Sequence, residues 1–377
     1  MSNDDLYMAR ALELARRGRF TTAPNPNVGC VIVQNGQIVG EGYHQRAGEP
    51  HAEVYALAMA GVQARGATAY VTLEPCSHHG RTPPCADALI SAGISRVVVA
   101  MSDPNPLVAG RGLKRLQQAG IMVRQGVMTR EAEAINRGFL KRMRQGLPYL
   151  QLKLGASLDG RTAMASGESQ WITSVEARRD VQCFRAESAA IVSTSATVLA
   201  DNPALTVRWD ELSAEIHQCY QQQNRLPENV RQPVRVIIDS QNRVTPAHRI
   251  TQQPGQTWLV RQRADDQHWP ETVEQWLLPA RQHAGQQGID LTGLMQCLAE
   301  RQINSVWVEA GAHLAGALLQ AKLVDELILY LAPKLLGDNA RGLCQLVGLE
   351  RLADAPELQL QEVRQVGTDL RLRLTLR

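Results

Sequence analysis

His51 and Glu53, two residues apart, and the thiols Cys76 and Cys85 further on are the side chains of this sequence best suited to chemistry. One imidazole and two thiolates can hold a zinc ion on three sides and leave its fourth position to water. Water held that way loses a proton near neutral pH and can attack an amidine-like carbon. Glu53 stands close enough to His51 to carry protons to and from such a water.

A His-x-Glu pair followed by Pro-Cys and a second Cys is the signature of zinc deaminases, which replace an exocyclic amino group by oxygen. The spacing departs from the usual form, because eight residues (77–84) separate the cysteines where two are common. A wider loop can still close on one metal, but His78 and His79 inside it become rival ligands. The competing reading is a structural zinc site with four protein ligands, the fourth being His78 or His79. A structural site has no use for Glu53, and this favours the catalytic reading.

These residues need a scaffold, and the first half alternates helices with strands. Asp4-Asp5 can cap a helix carrying Leu6, Ala9, Leu12 and Leu14. Residues 28–33 and 37–42 read as strands around an Asn35-Gly36 turn. A helix is expected over 51–64 and a strand over 68–73, ending at Glu74-Pro75-Cys76. Pro83-Pro84 opens another helix, followed by strand 97–100, helix 112–119 and strand 121–123. His51, Cys76 and Cys85 thus fall near helix starts, where thiolate is favoured over thiol. A basic helix over 131–144 stops at Gln145-Gly146-Leu147-Pro148, which marks a domain boundary and divides the chain into 1–146 and 147–377. In the second half, strands are expected at 149–154, 189–193, 234–239, 257–260, 305–309, 326–331 and 370–376, with a helix over 175–186. The Gln-rich stretch 209–233 reads as an insertion or surface loop.

Composition narrows the partners. The chain has 377 residues, 44% hydrophobic and 20% charged, which suits a globular protein of two domains. Its net charge of +3 is uneven: residues 1–147 hold 17 Lys and Arg against 11 Asp and Glu, and the remainder 23 against 26. A mildly basic first half suits a small anionic substrate but makes no nucleic-acid stripe. Aromatic residues amount to 4%, a poor base-stacking platform. Seven cysteines without regular spacing suggest no disulfide framework. An acidic start and no bilayer-length apolar run point to a cytoplasmic protein with no membrane partner.

Both halves together resemble a known family. Thr22-Ala23-Pro24-Asn25-Pro26-Asn27-Val28-Gly29, His51-Ala52-Glu53 and the stretch from Pro75-Cys76 to Pro84-Cys85 resemble the pyrimidine deaminase of riboflavin biosynthesis, where the long cysteine gap is at home. Leu152-Lys153-Leu154-Gly155-Ala156-Ser157-Leu158-Asp159-Gly160, Ala196-Thr197-Val198-Leu199-Ala200-Asp201-Asn202-Pro203 and Glu309-Ala310-Gly311 resemble the partner reductase. Over nearly its whole length the chain is similar to the bifunctional riboflavin-pathway deaminase/reductases.

That resemblance implies an α/β protein: a cytidine-deaminase-like three-layer α/β/α domain, then a dihydrofolate-reductase-like α/β domain. It implies zinc on His51, Cys76 and Cys85, with Glu53 as proton shuttle and His78 as a pocket residue. Asn27, His44 and Arg81 become candidate contacts to a phosphorylated pyrimidine substrate, although each could equally be a turn residue or a surface charge. The reaction implied first is deamination of a diamino-ribosylamino-pyrimidinone 5′-phosphate; the second is reduction of its ribosyl group by NADPH.

The second half lacks Gly-x-Gly-x-x-Gly after a strand, so a standard dinucleotide fold is not expected. Gly311-Ala312-His313-Leu314-Ala315-Gly316 places small residues at a helix start, where backbone N–H groups can approach a phosphate. The resemblance adds Gly155, Trp171, Thr197, Asp201 and Ser240 to this NADPH cradle. It lines the substrate pocket with Lys153, Ser169, Arg185, Leu205, Arg208 and Glu309. The two arginines suit a phosphate, and Lys153 could aid opening of the sugar ring. Arg161, Arg178 and Arg243 are candidates for the cofactor's 2′-phosphate. A homo-oligomer, dimer or tetramer, is also implied. Two rival readings are a nucleic-acid-editing deaminase and a reductase with a purely structural zinc module; the first leaves the second half unexplained.

Overall fold

The computed structural model describes residues 2–77, 84–105, 109–223, 225–283 and 286–376, with backbone alone at 282, 283, 286 and 287. The chain divides into two units, Met1–Gly146 and Leu147–Arg377. His78, His79 and Arg81 lie outside the described residues.

The first unit runs α1 (Asn3–Arg16), β1 (Gly29–Gln34), β2 (Gln37–Tyr43), α2 (Ala52–Ala60), β3 (Thr68–Val71), α3 (Cys85–Ser91), β4 (Arg96–Val99), α4 (Arg111–Gln118), β5 (Met122–Gln125), α5 (Thr129–Ile135) and α6 (Arg137–Gln145). Its sheet has the order β2-β1-β3-β4-β5. β1 is antiparallel to both neighbours, while β3, β4 and β5 run parallel. Alternating side chains supply both faces. Ile32, Val97 and Val99 pack with Ala56, Leu89 and Leu116 from α2, α3 and α4. Val31 and Val98 pack with Met8, Leu12, Phe139 and Leu140 from α1 and α6. The result is a three-layer α/β/α domain.

Two expectations change here. Ser2, not Asp4-Asp5, caps α1: its hydroxyl accepts the Asp5 N–H while the Asp5 carboxylate accepts the Ser2 N–H. Asp4 turns inward instead and pairs with Arg96 and Arg124. The basic helix expected over 131–144 is broken at Asn136, whose amide accepts from the Asn27 N–H at 2.7 Å and donates to the Asn27 carbonyl at 2.9 Å.

The second unit contains β6 (Tyr149–Ser157), β7 (Arg161–Ala163), α7 (Val175–Glu187), β8 (Ala190–Thr194), α8 (Ser195–Asp201), α9 (Ala214–Gln222), β9 (Val234–Ile238), β10 (Thr257–Arg261) and β11 (Val273–Leu277). It continues with β12 (Ala280–His283), β13 (Gln286–Ile289), α10 (Leu291–Glu300), β14 (Ser305–Glu309), α11 (Ala312–Gln320), β15 (Glu326–Ala332), β16 (Arg341–Gly342), β17 (Leu358–Val366) and β18 (Asp369–Leu376). The main sheet has the order β11-β10-β9-β8-β14-β6-β15-β18-β17. From β11 to β15 the strands are parallel, and β18 is antiparallel to both β15 and β17. Leu294, Leu298 and Leu318 from α10 and α11 cover one face. Val181, Phe184 and Val198 from α7 and α8 cover the other.

The Gln-rich stretch is not an irregular loop. Ile216, Cys219 and Tyr220 form the buried face of α9, a short helical stripe diluted by glutamines. Among the described residues, no helix is long and apolar enough to cross a membrane.

Candidate active sites

α2 positions the first site. His51 is its N-cap with extended backbone (φ −78°, ψ 167°), so His51 and Glu53 do not diverge as they would inside a helix. The helix start lies close on β2 because positions 40 and 42 are glycine: a Cβ at Gly42 would come within 2.4 Å of the Ala52 carbonyl oxygen. The loop after β3 brings in Cys76, and the first residue of α3 is Cys85. The ligand atoms of His51, Cys76 and Cys85 all lie within 4.8 Å of one another. His51 Nδ1 is 3.2 Å from Cys85 Sγ and 3.6 Å from Cys76 Sγ. Tetrahedral zinc with bonds of about 2.0–2.3 Å puts neighbouring ligands roughly 3.5 Å apart, so the trio fits the ion.

The three groups are electrostatically coupled. The Cys85 thiol, its N–H at 3.3 Å and the His51 ring hold Cys76 down to about 4, while contact with that sulfur and burial push Cys85 up. Contact with Cys76 raises His51. Glu53 is 2% exposed, and its Oε2 has no hydrogen-bond partner among the described residues. Burial raises its carboxyl. An orphaned carboxylate oxygen beside three metal-type ligands is polar space made for a ligand.

His44 meets His51 edge-on, with ring centroids 5.4 Å apart. Burial pushes His44 down to about 4, so it is neutral at pH 7. Its Nδ1–H donates to the Pro50 carbonyl at 3.1 Å, which leaves Nε2 to accept from the Asn25 amide at 3.0 Å. Asn27, the expected contact, is committed elsewhere: its oxygen accepts from Thr22 and its nitrogen donates to the Ile135 carbonyl. Of the two asparagines in Asn25-Pro26-Asn27, only the first reaches His44. Their shared type and spacing hid which one points inward.

The second site is a cavity of about 890 Å³ in the second unit. At its floor, Lys153 of β6 and Glu309 of β14 are register partners. Burial alone would raise Glu309, but the Arg185 guanidinium, helped by Lys153, holds it down to about 2. Arg185 binds it through Nε at 2.6 Å and Nη2 at 2.9 Å, and also donates to the Thr206 carbonyl. Trp307 Nε1 donates to the same carboxylate at 2.8 Å, from a ring stacked on Phe184. Lys153 is lowered, chiefly by burial.

Most residues expected here do line the cavity. Gly155, Ser169, Trp171, Thr197 and Asp201 are on its wall, as are Leu205, Arg208, Ser240, Gly311, Ala312, His313 and Leu314. α11 begins at Gly311 without a side-chain cap, and a Cβ there would meet nothing within 4 Å. A Cβ at Gly155 would lie 3.2 Å from Thr173 and intrude on the same space. Such a start leaves N–H groups for a diphosphate, so the residues fit a dinucleotide. Ala315 and Gly316 are corrections: Ala315 is fully buried, a Cβ at Gly316 would sit 1.8 Å from the Gln345 carbonyl, and neither lines the cavity, whereas Ala317 and Gln320 of the same helix do. Arg208 makes a two-pronged pair with Glu211. Arg161 is tied to the Ala340 carbonyl and Asp338, off the wall, whereas Arg178 and Arg243 line it. Arg249 and Arg341, which nothing in the sequence marked, line it too. Among the described residues, seven lysines and arginines face the cavity against two carboxylates, a surface for polyanionic ligands.

The fold and the two sites define a zinc-deaminase module followed by a reductase of dihydrofolate-reductase-like fold. Residues 1–101 match the cytidine and deoxycytidylate deaminase zinc-binding region, and residues 148–372 match the RibD C-terminal domain. The riboflavin biosynthesis protein RibD of Escherichia coli K12 is 69% identical over 371 residues, covering 98% of this chain and 99% of that one. The Acinetobacter baumannii RibD structure shares 46% identity and a TM-score of 0.88, covering 100% of this chain and 99% of its own. A Thermotoga maritima structure, described as a diaminohydroxyphosphoribosylaminopyrimidine deaminase/5-amino-6-(5-phosphoribosylamino)uracil reductase, shares 30% identity and a TM-score of 0.85 at the same coverage. The chain belongs to the RibD family, the bifunctional deaminase/reductases of riboflavin biosynthesis.

Proposed function

We propose that the first unit deaminates 2,5-diamino-6-ribosylamino-4(3H)-pyrimidinone 5′-phosphate to 5-amino-6-(5-phosphoribosylamino)uracil, and that the second reduces the ribosyl group of that product to ribityl with NADPH. The observation that carries the first step is the trio His51, Cys76 and Cys85 beside the orphaned Glu53 carboxylate. Zinc, when bound, makes water a nucleophile at neutral pH. Water adds to the ring carbon bearing the amino group. Glu53 takes a proton as that bond forms and delivers it as ammonia leaves, so water is consumed, ammonia is released, and the carboxylate ends as it began. Neutral His44 and Asn25 form a fixed pair beside His51, well placed to orient the pyrimidine.

In the second unit, opening the ribosylamine gives an imine-like carbon that accepts a hydride, and its nitrogen takes a proton. NADPH supplies the hydride. Lys153, lowered by burial and held opposite Glu309, is suited to move the proton. The cationic wall supports binding of both the sugar phosphate and the dinucleotide. Trp171, with Arg178 4.3 Å over its ring, forms a wall for the nicotinamide end.

The test is mass spectrometry of zinc-loaded protein given the diaminopyrimidine ribosyl phosphate. Exchange of amino for oxygen without NADPH, then gain of two hydrogens with it, is expected. Reduction without deamination would remove the catalytic reading of the first unit. Tighter binding of NADPH than of NADH is also expected, and equal affinities by titration would overturn the cofactor assignment. We further expect a homo-oligomer, to be checked by light scattering.

A further inference from the structure

Glu74 is buried (4% exposed) and separated from Cys76 only by Pro75. Its carboxylate accepts four backbone N–H groups. Oε1 takes those of Gly112 at 3.0 Å and Leu113 at 3.4 Å; Oε2 takes those of Gly110 at 3.0 Å and Asp103 at 3.2 Å. Among the described residues no lysine or arginine pairs with it.

The four donors belong to two pieces of structure. Gly110, Gly112 and Leu113 open α4, whose N-cap is a glycine with φ 73° and no side chain to offer its first turn. Glu74 supplies the missing cap from 38 residues away, and its charge meets the positive end of the helix. Asp103 lies in the segment leaving β4, the parallel neighbour of β3. The contact is also close sterically, since a Cβ at Gly112 would lie 2.0 Å from the Pro75 carbonyl. Proline fixes φ at about −65°, so little slack separates the anchored carboxylate from Cys76.

We propose that Glu74 is a positioning residue of the deaminase centre: it fastens the segment bearing Cys76 to α4 and to the loop after β4, and so preforms the metal site. This rests on the reading of His51, Cys76 and Cys85 as zinc ligands. Glu74 contacts no reacting atom and acts through Cys76. The alternative is that it merely caps α4 and affects stability alone.

The experiment uses the full chain and Glu74→Gln, which keeps the volume but replaces an acceptor oxygen with an NH₂ group facing N–H donors. Zinc affinity is measured by chelator competition, and site geometry by the d–d absorption of cobalt-substituted protein. NADPH-dependent reduction in the same molecule serves as a control for folding. Zinc affinity should fall roughly 10–100-fold, the range for residues that orient metal ligands, with an altered cobalt spectrum and unchanged reduction. Wild-type affinity and spectrum in Glu74→Gln, even with a lower melting temperature, would overturn the proposal. If that variant does not fold, Glu74→Asp, which keeps the charge but shortens its reach, should bind zinc about tenfold more weakly; wild-type affinity there overturns the proposal equally. Cys76→Ser separates this idea from the reading beneath it. If Cys76→Ser holds zinc as tightly as wild type, the ligand assignment fails, whereas its loss of zinc beside an unaffected Glu74→Gln removes only the role of Glu74.

Discussion

Lys153 and Glu309 face each other in register on the adjacent parallel strands β6 and β14, at the floor of a cavity whose wall also carries six arginines among the described residues. The parallel ladder fixes this pairing, so neither residue can shift without the sheet. Arg185 takes both oxygens of the carboxylate, which leaves the lysine beside an acid already engaged. Lys153→Met should therefore lower reduction by about 100-fold or more and leave deamination untouched. Single-turnover reduction of the uracil intermediate is the measurement; an unchanged rate removes Lys153 from proton transfer.

Breaking the acid side should cost stability as well. Glu309→Gln leaves the Arg185 guanidinium buried without its counter-charge, a loss of about 3–5 kcal/mol by the behaviour of buried pairs. Urea denaturation followed by a signal from the second unit would show it, and a variant within 1 kcal/mol of wild type would mean that Arg185 finds water instead.

Glu53→Gln should keep its zinc and lose deamination by roughly 100-fold or more, with reduction intact. Metal analysis and ammonia release measured on one sample decide this. Deamination at the wild-type rate would end the proton-shuttle role of Glu53. Chelation of the metal should give the same pattern: no deamination, and normal reduction of substrate supplied already deaminated.

Asp4 gives the first unit an acid limit. Its Arg96 partner, with Tyr70 and Arg124, holds the carboxyl down to about 2, below its ordinary 3.8. A depressed acid contributes stability that is complete above the unfolded value and lost as pH falls toward the folded one, here between about 4 and 2. Asp4→Asn should lower stability at pH 7 by about 2 kcal/mol and flatten that limb. A wild-type acid profile in the variant would show that other carboxylates set it.

Gly316→Ala tests the close approach of α11 to the Gln345 backbone. The added methyl has no room beside the Gln345 carbonyl, so stability should drop by about 1–3 kcal/mol. Affinity for NADPH in the folded fraction should hold. A selective loss of cofactor binding at full stability would restore Gly316 to the cavity.

Chemistry was more legible in the sequence than support was. His, Glu and two Cys announce themselves by type, and small residues after a strand mark a helix start that lines the cavity. What holds them does not, because it is assembled from distant segments. Asn136 interrupts an otherwise helical basic stretch to serve Asn27, a bond spanning 109 residues. Nothing local distinguishes Asn25 from Asn27, or Leu314 and Ala317 of α11, which line the cavity, from Ala315 and Gly316, which do not; only the direction each side chain faces in the packed unit decides. The α9 stripe was hidden by its glutamines, since three buried apolar positions in nine give a weak period. Glu74 looked like the end of a strand, and its four donors come from 29 to 39 residues downstream.

The Asn27–Asn136 clasp also bears on where the gene can be cut. The recognisable deaminase region ends at residue 101, in the loop after β4. A fragment stopping there would expose the edge of β4 that β5 covers, strip Phe139 and Leu140 from the core under β1, and leave both polar groups of the Asn27 backbone without the amide that meets them. The compact unit is thus longer than its motif by 45 residues of plain support (146 − 101), and libraries or fusions drawn at the motif's edge would discard the part that keeps it upright.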